Sequence, residues 1–214
     1  LTTYTALSDA SLSQDKPVTQ SIARAWRDNP LAMGEGDPTA PEIIGVDYFD
    51  IKTASGSSSL IFTNLPDSYD VLEWDIVKLF PATSLNQLYM ELSTDNGSTW
   101  LNSSYVNYFE RIVAGTASSG TGSTARFDVT GNPSFNTSSP QTVNGKMRSY
   151  SLCNASQTKL IESMVMYFDT TPSLHMQRVH GYHATTSKVN AVRFRFASGN
   201  ITSGYIGYRR VRPS

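Results

Sequence analysis

The sequence predicts a mainly β chain, an antiparallel β-sandwich or jelly roll preceded by a short N-terminal helix and a linker. Three observations predict it. Apolar residues recur with a period of two in three separate segments, as in sheets with one packed and one wet face. Of 214 residues, 29 are Ser and 22 are Thr, about a quarter of the chain, which suits hydroxyl-rich turns between strands. With 39% hydrophobic, 11% aromatic and only 16% charged residues, the chain is too apolar and too weakly charged to be disordered. The length allows one large domain, or one domain with an appendage, either able to bury a core.

Residues of about 15–29 read as the helix. Asp15 can cap it, and Pro17 sits in the first turn, where its missing N–H is not needed. Val18, Ile22 and Trp26 recur every four residues as one apolar stripe, Arg24 and Arg27 favour the negative end of the helix dipole, and Pro30 is expected to stop it. So short a helix is not stable alone in water, and its stripe must pack on something. The segment 34–41, rich in Gly and Pro, reads as an extended linker. Residues 1–42 are therefore expected to be a docking arm, with Val18, Ile22, Trp26, Arg24 and Arg27 as its contact residues. The alternative is that the stripe folds back onto its own domain.

From residue 43 to 214 the period is two. Leu72, Trp74 and Ile76 lie on one face of a strand, with Glu73 and Asp75 on the other. Leu88, Met90 and Leu92 alternate with Tyr89, Glu91 and Ser93, and Val192, Phe194 and Phe196 alternate with Arg193 and Arg195. The region from Ala114 to Gly145 is rich in Gly, Ser and Thr and is expected to be long surface loops, with residues 126–129 as one strand-like island. Residues 93–100, Ser-Thr-Asp-Asn-Gly-Ser-Thr-Trp, match the pattern called the Asp box. Asp95 can bond turn amides, Gly97 tolerates positive φ, and Trp100 can pack beneath, so the motif predicts a structural hairpin. Asp boxes recur in sialidase propellers, but one copy in a chain this short cannot build a six-bladed propeller.

The formal charge of −1 conceals an asymmetry. All eighteen acidic residues lie at or before Asp169, alongside ten basic ones, giving −8; the seven basic residues beyond it give +7. Basic strands pairing with acidic ones inside the same sheet are the expected explanation, with an anionic partner as the alternative. Contacts with neighbouring copies would use the same charges. No nucleic-acid motif accompanies the basic segment, and no nucleic-acid partner is expected.

Catalytic and metal signatures are weak. His180 and His183 are three apart, so on a strand they face opposite ways and do not converge with His175 on a metal. Glu73 and Asp75 have the spacing of a carboxylate pair, but equally that of a solvated strand face. No nucleophile elbow, phosphate loop or dinucleotide fingerprint is present. No enzyme, cofactor or metal is expected. The longest apolar run, Leu160 to Phe168, is nine residues and contains Glu162, too short for a membrane helix. Cys153 is the lone cysteine, and no signal-peptide pattern is seen at the N-terminus, so folding in a cytoplasm is expected.

Three blocks resemble tailed-bacteriophage virion proteins. Residues 6–10, 16–25 and 28–30 (ALSDA, KPVTQSIARA, DNP) are similar to the N-terminal segment of that family. Residues 80–83 (FPAT) with 88–100, and then 189–204 (VNAVRFRFASGNITSG), follow in the family's order; the ending 205–210 and the 110–150 region depart from it. The resemblance implies a fibre, spike or decoration subunit, folded in the host cytoplasm and then carried on the virion. Its arm would bind other virion proteins, and its β domain would project as a homo-oligomer, a trimer being the first expectation. Host surface polysaccharide is a candidate ligand of such a domain, with Tyr105, Tyr108 and Tyr182 as candidate stacking residues. The alternative is a carbohydrate-binding module with no role in assembly.

Overall fold

The structure is a computed structural model that describes Thr5 and residues 23–25, 28–30, 49–66, 69–83, 86–131, 142–168 and 173–211. The chain divides into two compact units, Leu1–Val46 and Asp47–Ser214, a little beyond the boundary expected at residue 42. In the first unit the backbone is helical at 23–25 and at 28–30. Pro30 is the last of the described helical residues, one position beyond the end expected at residue 29. Asn29 closes a pair of hydrogen bonds with Thr5, its Oδ1 accepting from the amide and its Nδ2 donating to the carbonyl, both at 2.9 Å. Arg24 is exposed. Val18, Ile22, Trp26, Arg27 and the linker lie outside the described residues.

The second unit is an antiparallel sandwich. Its strands are β1 Asp50–Thr53, β2 Leu60–Thr63, β3 Val71–Pro81, β4 Leu88–Ser93, β5 Tyr105–Val113 and β6 Thr116–Thr121, then β7 Phe127–Asp128, β8 Val143–Tyr150, β9 Lys159–Phe168, β10 Leu174–His183, β11 Ala191–Phe196 and β12 Ile201–Val211. The large sheet has the order β1-β12-β3-β8-β9-β10-β5-β6, and the small sheet β2-β11-β4-β7. Set aside β5, β6, β9 and β10, and number the remaining strands 1 to 8 along the chain. The sheets then run 1-8-3-6 and 2-7-4-5, the order of a jelly roll. The four additional strands all widen the large sheet on one side.

Period-two patterning decides which side chains meet between the layers. Leu72, Trp74 and Ile76 of β3, Met90 and Leu92 of β4, and Phe194 and Phe196 of β11 are all buried. The Trp74 ring lies 5.3 Å from Phe62, 5.3 Å from Phe194 and 4.9 Å from Tyr208, edge-on or tilted. Aromatic pairs favour such geometries, which add to the burial of ring area. The indole Nε1 donates to Ser149 Oγ at 2.9 Å, so the largest core side chain leaves no buried donor unsatisfied.

Two expectations need correcting. The 114–145 region holds more strand than expected: β7 is the island expected at residues 126–129, but the region also contains β6 and enters β8. Ala114 and Gly115, both at positive φ (47° and 83°), make a two-residue turn that folds β6 back on β5. Strand β6 is mostly exposed Ser, Thr and Gly, so backbone pairing alone defines it and no apolar pattern announces it. Second, Tyr89, Glu91 and Ser93 were expected on a wet face, yet all of β4 is buried. Arginine side chains cover that face: Arg126 stacks 3.7 Å from the Tyr89 ring, and Arg193 lies 4.5 Å from Trp100.

The basic terminal segment pairs inside its own domain, as expected. Glu91 Oε2 accepts from Arg193 Nε and Arg195 Nε, each at 2.8 Å, and Arg195 Nη2 bonds Oε1 at 3.0 Å. Burial raises the Glu91 carboxyl, but the two guanidinium groups outweigh it and hold the group below its ordinary value of 4.5. A carboxylate lowered in this way stabilises the fold above its unfolded-state value, and that contribution disappears as pH falls through the lowered one. Glu91→Gln should therefore show a smaller drop in melting temperature than the parent between about pH 6 and about pH 3. An equal drop would mean that the Arg193–Glu91–Arg195 clamp contributes nothing to acid stability.

Candidate functional site

The outer face of the large sheet concentrates chemistry. Since alternate residues share a face, core placement of Trp74 and Tyr208 sends Glu73 and Arg209 outward, and the registers align them into rows. One row runs Arg209 (β12), Glu73 (β3), Arg148 (β8), Glu162 (β9), His180 (β10) and Tyr108 (β5). Its charges interlock: Arg148 Nε donates to Glu73 Oε1 at 2.7 Å, Arg209 Nε donates to Glu73 Oε2 at 2.8 Å, and Tyr150 Oη donates to Glu162 Oε1 at 2.7 Å. Burial raises the Glu73 carboxyl, and the two arginines overcome this to leave it below its ordinary value. A carboxylate saturated by two guanidinium groups is an ion-pair element; Glu73 and Asp75 do not form a facing acid pair, since Asp75 also lies 3.6 Å from Arg209 and 3.7 Å from Lys146.

The next row holds Gly207, Asp75, Lys146, Met164, Arg178 and Glu110, and the one after it Asn144, Met166, Met176 and Ile112, with the β3–β8 register broken by a bulge beyond Ile76. Met164, Met166 and Met176 are 56%, 47% and 48% exposed, and Ile112, Phe168 and Leu174 extend the same apolar ridge. Beside the ridge lies a trough of about 720 Å³ lined by Asp75, Val77, Asn144, Lys146, Met164 and Met166. A charged groove of about 440 Å³ adjoins it, lined by Glu73, Lys146, Arg148, Glu162, Arg178 and Arg209.

The sequence did not single out this ridge, although a signal was present. Residues 160–168 of β9 read as an apolar run because both of its faces carry apolar side chains: Ile161, Val165 and Tyr167 inside, Leu160, Met164, Met166 and Phe168 outside. Strands of that kind belong to sheets covered on both sides.

The expected tyrosines separate. Tyr105 is buried, with its hydroxyl accepting from the Leu92 amide at 2.9 Å, so it is a core residue and presents no face to a ligand. Tyr108 and Tyr182 are exposed on the outer face, and the β5–β10 register makes them diagonal neighbours. Beside them lies a recess of about 260 Å³ lined by Tyr150, Leu160, Glu162 and His180. One aromatic ring, a carboxylate and an imidazole line it, and Tyr108 is the cross-strand neighbour of His180, a set able to stack a sugar ring and bond its hydroxyls. His183 is buried on the opposite face from His180, accepts from the Thr185 amide at 3.0 Å and is pushed below its ordinary value by burial. Among the described residues no group of three or more His, Cys, Asp or Glu is placed to hold a metal ion.

The motif at residues 93–100 forms a locked turn but not the expected hairpin, because the strands it joins, β4 and β5, lie in different sheets. Ser93 Oγ donates to Asp95 Oδ1 at 2.7 Å and accepts from the Gly97 amide at 2.9 Å. Asp95 also accepts from the Thr99 amide at 2.8 Å and the Thr99 hydroxyl at 2.6 Å, and these bonds, the hydroxyl first, hold its carboxyl at about 2. The asparagine between them ties the turn to its surroundings: Asn96 Oδ1 accepts from the Asn64 amide at 2.8 Å, and Asn96 N donates to Asn190 Oδ1 at 2.7 Å. Gly97 has φ +91°, and a Cβ there would lie 3.5 Å from the Trp100 ring. Gly97→Ala should lower stability by about 1–2 kcal/mol through backbone strain, measured by denaturant unfolding; an unchanged midpoint would show that the turn adapts freely. No protein-family model, no curated protein and no solved structure matches the chain.

Proposed function

We propose that the chain is a structural protein of a tailed-bacteriophage virion, a fibre, spike or decoration subunit. Its N-terminal arm docks to other virion proteins, and its jelly roll is displayed. The observation that carries this reading is the outer face of the widened sheet. Four strands are added to the jelly roll, and three of them, β9, β10 and β5, extend its core on the inner face and turn Met, Leu, Phe and Ile side chains outward. A contiguous apolar face of this sort marks a contact with another macromolecule, as subunits of an assembly require. The three blocks of sequence resemblance, in order along the chain, support the same reading.

A specific observation favours a second reading, a carbohydrate-binding module. Tyr108 and Tyr182 stand exposed on the same face next to His180, which with Tyr150 and Glu162 lines a recess. Both roles are compatible in one protein, with host surface polysaccharide as the ligand of the displayed domain.

Removing residues 1–42 tests the first reading. The truncated protein should keep the circular dichroism and melting of the β domain but enter particles at a level reduced about tenfold or more. Full incorporation without the arm contradicts the docking role. For the second reading, titration with host polysaccharide fragments should show binding that Tyr182→Ala and Tyr108→Ala each weaken about tenfold, the scale of one lost stacking contact. An absence of binding at millimolar sugar removes it.

A further inference from the structure

We infer that the outer face of the large sheet is a two-fold contact between copies of this chain. This deepens the display reading by naming the partner of that face. Shape and charge both point to a second copy. The ridge of Met164, Met166, Met176 and Ile112 stands on β9, β10 and β5, while the neighbouring strands β8 and β3 supply Asn144, Lys146, Asp75 and Val77 to the trough beside it. Ridge and trough side by side on one face fit a copy of themselves: under a two-fold axis each ridge enters the other's trough.

The axis can be placed. If it runs parallel to the strands above the line between β8 and β9, then β9 of one protomer lies over β8 of its partner, β10 over β3, and β5 over β12. Face-to-face sheets pack nearly aligned in this way. The charged row then meets itself without like charges opposed, because acidic Glu162 and basic Arg148 flank that line; His180 adds a positive charge only when protonated, and Tyr108 is neutral. Glu162 of one protomer faces Arg148 of the other, His180 faces Glu73, and Tyr108 faces Arg209. In the next row Arg178 faces Asp75. In the one beyond, Met166 covers Asn144. No like charges oppose one another in these rows.

An isologous contact of one patch with itself gives a dimer, not the trimer that the resemblance implies. A three-fold ring requires two different contact patches on each subunit. The apolar strand β9 also finds its second cover in this arrangement, as a strand apolar on both faces demands.

The test uses two charge variants of the full chain, alone and mixed, with mass in solution measured by light scattering or sedimentation. The parent protein should be a dimer. Glu162→Lys sets lysine against Arg148 at both symmetric contacts, and Arg148→Glu sets glutamate against Glu162, so each variant alone should dimerise at least about tenfold more weakly. Mixed in equal amounts they should dimerise again, since each contact between unlike protomers then pairs opposite charges. Circular dichroism and melting of each variant exclude unfolding as the cause, and Met166→Glu combined with Met176→Glu should give a folded monomer. A monomeric parent, variants that dimerise as well as the parent, or a mixture that stays monomeric would each overturn the two-fold contact. None of these results bears on whether the arm is needed for entry into particles, so the two readings fail separately.

Discussion

Trp74 is the constraint from which the rest of the domain follows. Its indole stands between the layers against Phe62 of β2, Phe194 of β11 and Tyr208 of β12, so one side chain on β3 joins three further strands and both sheets. Full burial of so large a group is tolerated because Ser149 on β8 accepts its N–H. With Trp74 fixed inward, a slip of one residue in β3 would drive Glu73 and Asp75 into the core. The register is therefore locked, and with it the position of every charge on the outer face. The ion-pair row is a consequence of core packing rather than a separate design.

How much of this was legible depended on whether two faces of a strand differ. Strands β3, β4 and β11 announced themselves because apolar residues alternate with charged ones, and the jelly-roll class followed from such strands with one short helix ahead of them. The turn at residues 93–100 was readable because the bonds of Ser93 and Asp95 that close it are local, although the strands it joins do not pair. Strand β6 was not, since Ser, Thr and Gly on both faces leave nothing but main-chain pairing to define it. Tyr105 was misassigned as a surface ring because an aromatic residue at a strand start carries no mark of which face it takes. The face of β4 that carries Glu91 read as wet because the arginines covering it come from β11, about a hundred residues away. Long-range partners are what a single strand's pattern does not contain.

The same reasoning explains why the candidate face escaped notice. A run such as residues 160–168 is ambiguous between a buried strand and a fragment of membrane helix when length alone is judged. Once the sheet places it, the run means something definite: one side packs against the small layer, and the other asks for a partner. The face has two halves. The Met-rich ridge and trough offer contact area for a protein surface, and flexible thioether side chains adapt well to such contacts. The Tyr108–Tyr182 end, with Glu162 and His180, offers the polar and aromatic groups that a sugar needs. Glu162, His180 and Tyr108 lie within the proposed two-fold contact, so a sugar bound there would compete with the pairing of two copies.

The central claim is that the outer face is covered when the protein works. Oxidation footprinting of its methionines tests this most directly, because the fold supplies its own controls. Met90 and Met147 are buried in the core, whereas Met164, Met166 and Met176 stand on the outer face. In dilute protein the three outer methionines should oxidise readily and the two core ones slowly. In concentrated protein or on assembled particles the outer three should become protected as well, with the core pair unchanged. Equal oxidation of Met164, Met166 and Met176 in the dilute and assembled states would show that the face remains open to water and would contradict the account.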